Sequence, residues 1–211
     1  MIQCYGGTML IDLHNHTSRF SACSIISPEE LIDSALCSGL NGIAITEHDQ
    51  WFDERTKEKL QERAGAGLRI FIGIEHAVPG FHILSFGEQL PTGPWNSIEA
   101  LDEAASGQDV ALILAHPWRW GATARFHDET EQLAFFRHFD AIEVASHNLS
   151  PEEQRLGQEF CSRFAIPTCA GSDTHSLSMS STYATRFERE ISTITELAAA
   201  LRKGSYHPEK L

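Results

Sequence analysis

Five apolar runs of strand length in this 211-residue chain break directly into histidine, aspartate or glutamate. They are Ile11-Asp12-Leu13-His14-Asn15-His16, Gly42-Ile43-Ala44-Ile45-Thr46-Glu47-His48-Asp49, Ile70-Phe71-Ile72-Gly73-Ile74-Glu75-His76, Val110 to His116-Pro117, and Pro167 to Gly171-Ser172-Asp173-Thr174-His175. One strand can deliver only one or two ligating side chains, so a site of several such residues needs several strands ending together. The histidines of the first run stand two apart, on one face of a strand and about 6.6 Å from each other, within reach of one ion. A single His after a strand is more often a solvated or hydrogen-bonded residue than a ligand. Repetition of the same polar ending reverses that balance, because parallel α/β folds gather their sites at the carboxyl ends of strands.

Strand-like runs at Met9–Asp12, Gly42–Ile45, Arg69–Ile74, Val110–Ala115, Ala141–Val144 and Pro167–Ser172 alternate with helical patterns, which predicts βα units around a parallel sheet. A short strand over Phe81–Phe86 would turn His82 inward. Ser27-Pro28-Glu29-Glu30 and Ser150-Pro151-Glu152-Glu153 carry an N-cap serine, proline at the first helical position and glutamate three residues after the cap. These helices should reach about Cys37, stopped by Gly39, and about Phe164. Further helices are expected at Thr56–Ala66, Ile98–Ser106, Glu129–His138 and Ile194–Arg202, the last with Ile194, Leu197, Ala198 and Leu201 inward. Gly87–Asn96 and Trp118–Asp128 read as loops, and there is no internal repeat.

The length fits one domain with a core from about Leu10 to Gly204, slightly shorter than an eight-fold barrel. No apolar stretch is long enough for a membrane span, and Met1–Leu10 lacks a basic start, so a cytoplasmic location is the default expectation. The five cysteines, Cys4, Cys23, Cys37, Cys161 and Cys169, form no C-x-x-C pair; Cys37, Cys161 and Cys169 fall in helix or strand patterns and are expected to be buried. A net charge of −13 and the lack of a Lys/Arg cluster argue against binding long nucleic acid. Two or three divalent ions would add about +4 to +6 locally and still admit a small anion.

The ordered motifs Asp12-Leu13-His14-Asn15-His16, Thr46-Glu47-His48-Asp49, Gly73-Ile74-Glu75, Ala115-His116-Pro117 and Gly171-Ser172-Asp173-Thr174-His175 resemble those of the polymerase and histidinol phosphatase (PHP) family of metal-dependent phosphoesterases. The resemblance spans nearly the whole chain and implies a distorted (βα)7-type TIM-like barrel with its metal site at the strand C-terminal ends. It further implies that His14, His16, Glu75 and Asp173 hold one ion and that Glu75 bridges to a second, held by His82 and His116. His48 and His175 would face a third position. The cofactors would be two or three divalent ions of Zn, Mn or Fe. This chain departs from the family's usual Thr-Asp-His in carrying Glu47, which is expected beside the ligands and not among them. Where some members place a further His or Asp, the stretch Ser18–Ser24 offers only Cys23.

Imidazole and carboxylate donors without a thiolate cluster suit a hydrolytic centre. The expected reaction is hydrolysis of a phosphate ester of a small metabolite, nucleotide or short oligonucleotide by metal-activated water. The chain lacks both a Gly-x-Ser-x-Gly elbow and a phosphate-binding Gly-x-x-x-x-Gly-Lys loop. Arg119, between Trp118 and Trp120, is the candidate catalytic side chain: its fork suits phosphate oxygens and the tryptophans suit a stacked base. It reads equally well as an exposed residue of an aromatic-packed loop. Glu143 and His147 are lesser ligand candidates, whereas His127 and His138 are read as loop and helix-end residues and His76 as pointing away from Glu75. The competing readings are an amidohydrolase-like C–N hydrolase, whose bridging carboxylated lysine has no counterpart here, and a non-catalytic metal-binding module associated with nucleic-acid enzymes.

Overall fold

Nine strands form one mixed sheet in the computed structural model, which describes residues 7–93 and 95–211. In chain order they are β1 (Met9–Asp12), β2 (Gly42–His48), β3 (Arg69–Val78), β4 (Phe81–Gly87), β5 (Val110–Ala115), β6 (Ala141–Ala145), β7 (Thr168–Ala170), β8 (Tyr183–Phe187) and β9 (Tyr206–Lys210). Their order in the sheet is β7-β6-β5-β4-β3-β2-β1-β8-β9. Parallel pairing joins β1, β2 and β3 and, separately, β5, β6 and β7.

The expected barrel is present, but two of its strands depart from the parallel direction. β4 is antiparallel to both β3 and β5, and β8 is antiparallel to both β1 and β9. Only Pro79 and Gly80 connect β3 to β4, with Gly80 at φ +83°. A parallel crossover needs a dozen or more residues, so this turn permits only a hairpin. Because β4 runs backwards, its first residues lie at the end of the barrel where its neighbours finish. His82 thus reaches that end from the start of a strand, not from the end of one.

The sheet curls into a nearly closed barrel. Past their ends, β1 and β7 meet through the parallel bridge Asn15–Thr174, with Asp173 N–H donating to His14 C=O at 2.8 Å and His16 N–H to Thr174 C=O at 3.1 Å. β9 packs against β7. Among the described residues six helices accompany the strands: α1 (Pro28–Cys37), α2 (Glu54–Ala64), α3 (Ile98–Ala105), α4 (Glu129–Phe136), α5 (Pro151–Phe164) and α6 (Ile194–Lys203). The capping boxes expected at Ser27 and Ser150 form, and so does one at Thr193 with Glu196. Each gives unpaired first-turn N–H groups a side-chain acceptor. The stretch read as a loop after Trp118 instead contains a 3-10 segment, Arg119–Arg125, kinked at Trp120 and Gly121.

Ile11, Leu84, Phe86, Ile113 and Cys169 from the strands, with Leu13 just past β1, pack with Leu197, Ala198 and Leu201 of α6, and Ile194 is partly buried beside them. Separate apolar layers lie under α1 and α2 and under α3, α4 and α5. Cys161 and Cys169 are buried and unpaired as expected, but Cys37 is exposed, because α1 turns its Leu31, Ile32 and Ala35 face inward and leaves Cys37 on the other side. Cys23 is exposed, and Cys4 lies outside the described residues. No helix among the described residues is long and apolar enough to cross a membrane.

Candidate metal centre

The eight side chains singled out as ligands, His14, His16, His48, Glu75, His82, His116, Asp173 and His175, converge in four overlapping groups. These are His14/His16/Glu75, Glu75/His82/His116, His14/His116/Asp173 and His16/His48/His175, each with its ligand atoms within 4.8 Å of one another. Glu75 is the hub. Its Oε1 lies 2.8 Å from His82 Nδ1, 3.3 Å from His116 Nε2 and 3.4 Å from His14 Nε2. Its Oε2 lies 3.0 Å from His48 Nδ1 and 3.1 Å from His16 Nε2. Asp173 Oδ1 stands 3.4 Å from both His14 Nε2 and His16 Nε2.

The backbone turns these side chains inward at some conformational cost. His116 and Asp173, each just past a strand, adopt left-handed φ values of +31° and +51°. Non-glycine residues seldom occupy that region, and strained backbone of this kind concentrates at functional sites.

Two observations test whether the cluster fits metal ions. First, Glu75 Oε2 has no hydrogen-bond partner despite its two close imidazole nitrogens. The atoms are near each other, but no N–H points at the oxygen. Second, His14 Nε2 and His16 Nε2 face each other at 3.0 Å. The Nδ1 atom of His14 lies 3.1 Å from Glu143 Oε1, and that of His16 lies 3.3 Å from Ser21 Oγ, whose hydroxyl donates to Glu47. Each Nδ1 is thus taken up by a fixed partner, and the two Nε2 atoms are left facing one another, so that a proton or a metal ion must lie between them. Donors about 2.0–2.1 Å from a common centre stand roughly 3.0–3.4 Å apart at octahedral to tetrahedral angles, which these separations match. Imidazole with carboxylate donors suits divalent transition metals.

The charges agree with this fit. Burial opposes a charge on His14, but Glu143, Asp173 and Glu75 around it hold its pKa well above the usual histidine value. Burial also opposes ionisation of Glu75, yet His14 and His16 hold its carboxyl well below the ordinary range, and His14 and His16 do the same for Asp173. The pocket thus favours cations, for which protons and metal ions compete. His14, His16, Glu75, His116 and Asp173 are buried, whereas His48, His82 and His175 are partly exposed. The opening of the site lies on the side of those three.

A surrounding set of polar groups holds the candidate ligands, and part of it is absent from the sequence reading. Glu143 is not in any ligand group; it accepts from His14 and, through Oε2, from the His116 N–H at 3.1 Å. Glu47 accepts from the Thr17 N–H at 3.2 Å and from the Thr17 and Ser21 hydroxyls, which links it to His16 through Ser21. Asn148 donates to Asp173 Oδ2 at 2.8 Å. Asp12 accepts from Ser172 N–H at 2.8 Å and His14 N–H at 3.2 Å, tying the ends of β1 and β7; burial pushes its pKa up to about 7. Partners of this kind hold ring orientation and tautomer in metal sites. Asn148 follows the apolar run of β6, but its bond to Asp173 joins segments 25 residues apart and is not marked by the local sequence.

Arg119 joins the cluster, donating from Nη1 to Asp173 Oδ2 at 3.1 Å, with its guanidinium 4.5 Å from the Trp120 ring centre. Trp120 is 87% exposed. Trp118, expected alongside it as a stacking platform, is a core residue instead, packed on Phe136 and Phe160 and against Gly157. His147 is exposed and stands apart from the ligand groups, and so does His127. His138 pairs with Asp102 at 2.9 Å. His76 points away from the centre, bonded to Ser85 and Trp95.

Comparison with known structures places this fold in company. A two-domain protein from Bacteroides vulgatus containing a predicted PHP-like metal-dependent phosphoesterase is similar over 98% of this chain, with a TM-score of 0.75 and 18% identity. The chain spans 66% of that protein's length. PsfC from Pseudomonas syringae is similar over 97% of this chain and 92% of its own, with a TM-score of 0.70 and 18% identity. An amidohydrolase from Chromobacterium violaceum with bound sulfate is similar over 79% of this chain and 87% of its own, with a TM-score of 0.62 and 18% identity. No curated protein matches the chain in sequence. A PHP-associated family model matches residues 151–206. The model of the PHP domain itself matches residues 12–154, more than half of the chain and six of the eight candidate ligands, and the chain belongs to the PHP domain family.

Proposed function

We propose that this protein is a metal-dependent phosphoesterase acting on a small phosphorylated molecule. The observation that carries the reading is the convergence of seven further donors with the buried Glu75, whose Oε2 is unbonded, and the facing Nε2 atoms of His14 and His16 beside it. His14, His16 and Asp173 would hold one ion, His82 and His116 a second, and Glu75 would serve both. His48 and His175, with His16, form the third group, on the open side of the cluster. Zn, Mn and Fe all suit this donor set.

Divalent ions held by these residues would supply a nucleophilic hydroxide at neutral pH and neutralise charge on a phosphoryl group. The chain's own contribution is placement. Glu143 and the Glu47–Ser21 pair lock the His14 and His16 rings, and Asn148 locks Asp173. Arg119 stands beside Asp173 with a planar fork suited to two phosphoryl oxygens. Substrate approaches from the side of His48, His82 and His175, where Trp120 offers a flat apolar face at the rim.

The likeness to an amidohydrolase concerns the fold. A carboxylated lysine bridge has no candidate here, because Lys57, Lys59, Lys203 and Lys210 are the only lysines and lie on α2, α6 and β9. The test is release of p-nitrophenol from p-nitrophenyl phosphate and its bis ester, and of phosphate from a nucleotide panel, with Mn or Zn added. The wild type is expected to turn over and a folded His14→Ala, His16→Ala double variant to lose activity by 1,000-fold or more, on the order of what loss of metal-activated water costs. Equal inertness of both proteins on the whole panel would overturn the reading and favour a metal-binding module without turnover.

A further inference from the structure

A cavity of 370 Å³ adjoins the metal centre, sharing His82 and His116 with it and extending past Phe81, Arg119 and Trp120 to Arg125. Its charge is the reverse of the chain's. The protein carries 29 acidic and 16 basic residues, yet no Asp or Glu lines this cavity and two arginines do. Arg119 is committed to Asp173 at the metal end. Arg125, at the other end, has no carboxylate partner among the described residues.

Arg125 is nonetheless held in place. Its guanidinium lies 4.5 Å from the centre of the Phe81 ring, and one nitrogen donates to the Pro79 carbonyl at 3.1 Å. It sits flat on Gly80, where a Cβ would come within 2.0 Å of its nitrogens. The hairpin between β3 and β4 therefore fixes a cation at the far end of the cavity, while most of its five donors stay free. An arginine so placed presents a preformed fork to a carboxylate or a phosphate. The neighbouring Trp120 is itself held in a left-handed conformation, φ +54°, with its backbone N–H bonded to Glu153 at 2.8 Å. A bulky exposed aromatic in that region of backbone space points to a selected position.

We infer that the leaving group of the substrate occupies this cavity and carries an anionic group of its own, a carboxylate or a second phosphate, which Arg125 binds. The inference rests on the phosphoesterase reading for the position of the reacting phosphate at the metal end. Arg125 is then a specificity-determining residue: it selects esters with two separated anions over esters with one.

The test measures binding to the metal-loaded protein of phenylphosphonate, of its 3- and 4-carboxy derivatives, and of 1,4-phenylene bisphosphonate, none of which can be hydrolysed. Calorimetry gives the ratio of affinities with and without the second anion. A charge-assisted contact to the exposed Arg125 predicts that at least one doubly anionic compound binds about two- to fivefold tighter than phenylphosphonate. That ratio should fall to near one in Arg125→Gln and survive in part in Arg125→Lys. The carboxylates and the bisphosphonate distinguish the two kinds of anion. A wild-type ratio near one for every compound overturns the inference, and so does a ratio unchanged in Arg125→Gln, which would leave Arg125 as a clasp on the hairpin. Phosphate release from the matching aryl phosphates is read in parallel. Absence of turnover with the binding preference intact would count against the phosphoesterase reading and not against the role of Arg125.

Discussion

Replacing His76 with glutamine should change how the protein's stability responds to pH, by an amount that follows from its surroundings. The ring is fully buried, takes a hydrogen bond from the Trp95 indole N–H on Nδ1 at 3.2 Å, and lies 2.8 Å from Ser85 Oγ through Nε2. An acceptor at Nδ1 requires the proton on Nε2, so the folded protein holds neutral imidazole. Burial pushes the pKa down to about 4 from 6.5, outweighing the opposite pull of Glu75. The folded pKa is depressed, so the full contribution is present above pH 6.5 and is lost as pH falls toward 4, because the unfolded chain takes up the proton first. At about 1.36 kcal/mol per unit, the total is roughly 3 kcal/mol. Urea denaturation of wild type and His76→Gln from pH 8 to pH 4 checks this. Glutamine can keep both hydrogen bonds but does not titrate, and the other histidines and any metal loss affect both proteins alike. The difference between the two stabilities should be constant above pH 7 and shift against the wild type by roughly 3 kcal/mol by pH 4. Parallel curves throughout would refute the reasoning.

Other consequences concern the metal centre. Glu143→Gln leaves the fold but weakens the hold on the His14 ring, and apparent metal affinity should fall by about 10- to 100-fold in a chelator competition. Gly171→Ala places a Cβ 2.5 Å from His14 Cβ and 2.7 Å from His14 N, backbone that cannot swing away. It should lower the stability measured in urea by about 1–3 kcal/mol and reduce metal content with it. If Gly171→Ala binds metal like the wild type, the close approach of β7 to His14 does not position that ligand.

Much of this centre could be read from residue order, because its ligands follow a repeated local rule. An apolar strand buries itself, and the first polar residues beyond it fall at the same end of the barrel as those of its parallel neighbours. Helix starts could be read for a similar reason, since Ser27, Ser150 and Thr193 each bond to a residue three positions away. The direction of β4 is a different matter. Phe81-His82-Ile83-Leu84 has the same alternation read either way, and only the two-residue Pro79-Gly80 turn shows which way the strand runs. Strands β8 and β9 were missed because Tyr183–Phe187 is short with Thr185 and Arg186 interrupting its apolar residues, Tyr206–Lys210 is short and polar, and their pairing with each other and β1 spans distant parts of the chain. The contacts of Ser21 and Thr17 with Glu47, and of Asn148 with Asp173, likewise depend on folding distant segments together. No periodicity records them. The exposure of Cys37 follows from a helix phase that places Leu31, Ile32 and Ala35 inside.

The central claim is that donors gathered around Glu75 hold two or more divalent ions. The most direct measurement is elemental analysis of the purified protein after metal loading and gel filtration, combined with anomalous scattering from crystals of the same sample. The account predicts at least two equivalents of Zn, Mn or Fe per chain, with anomalous peaks on either side of the Glu75 carboxylate and loss of one in Glu75→Gln. Less than one equivalent after loading, or metal bound only away from His14, His16 and His116, would contradict it.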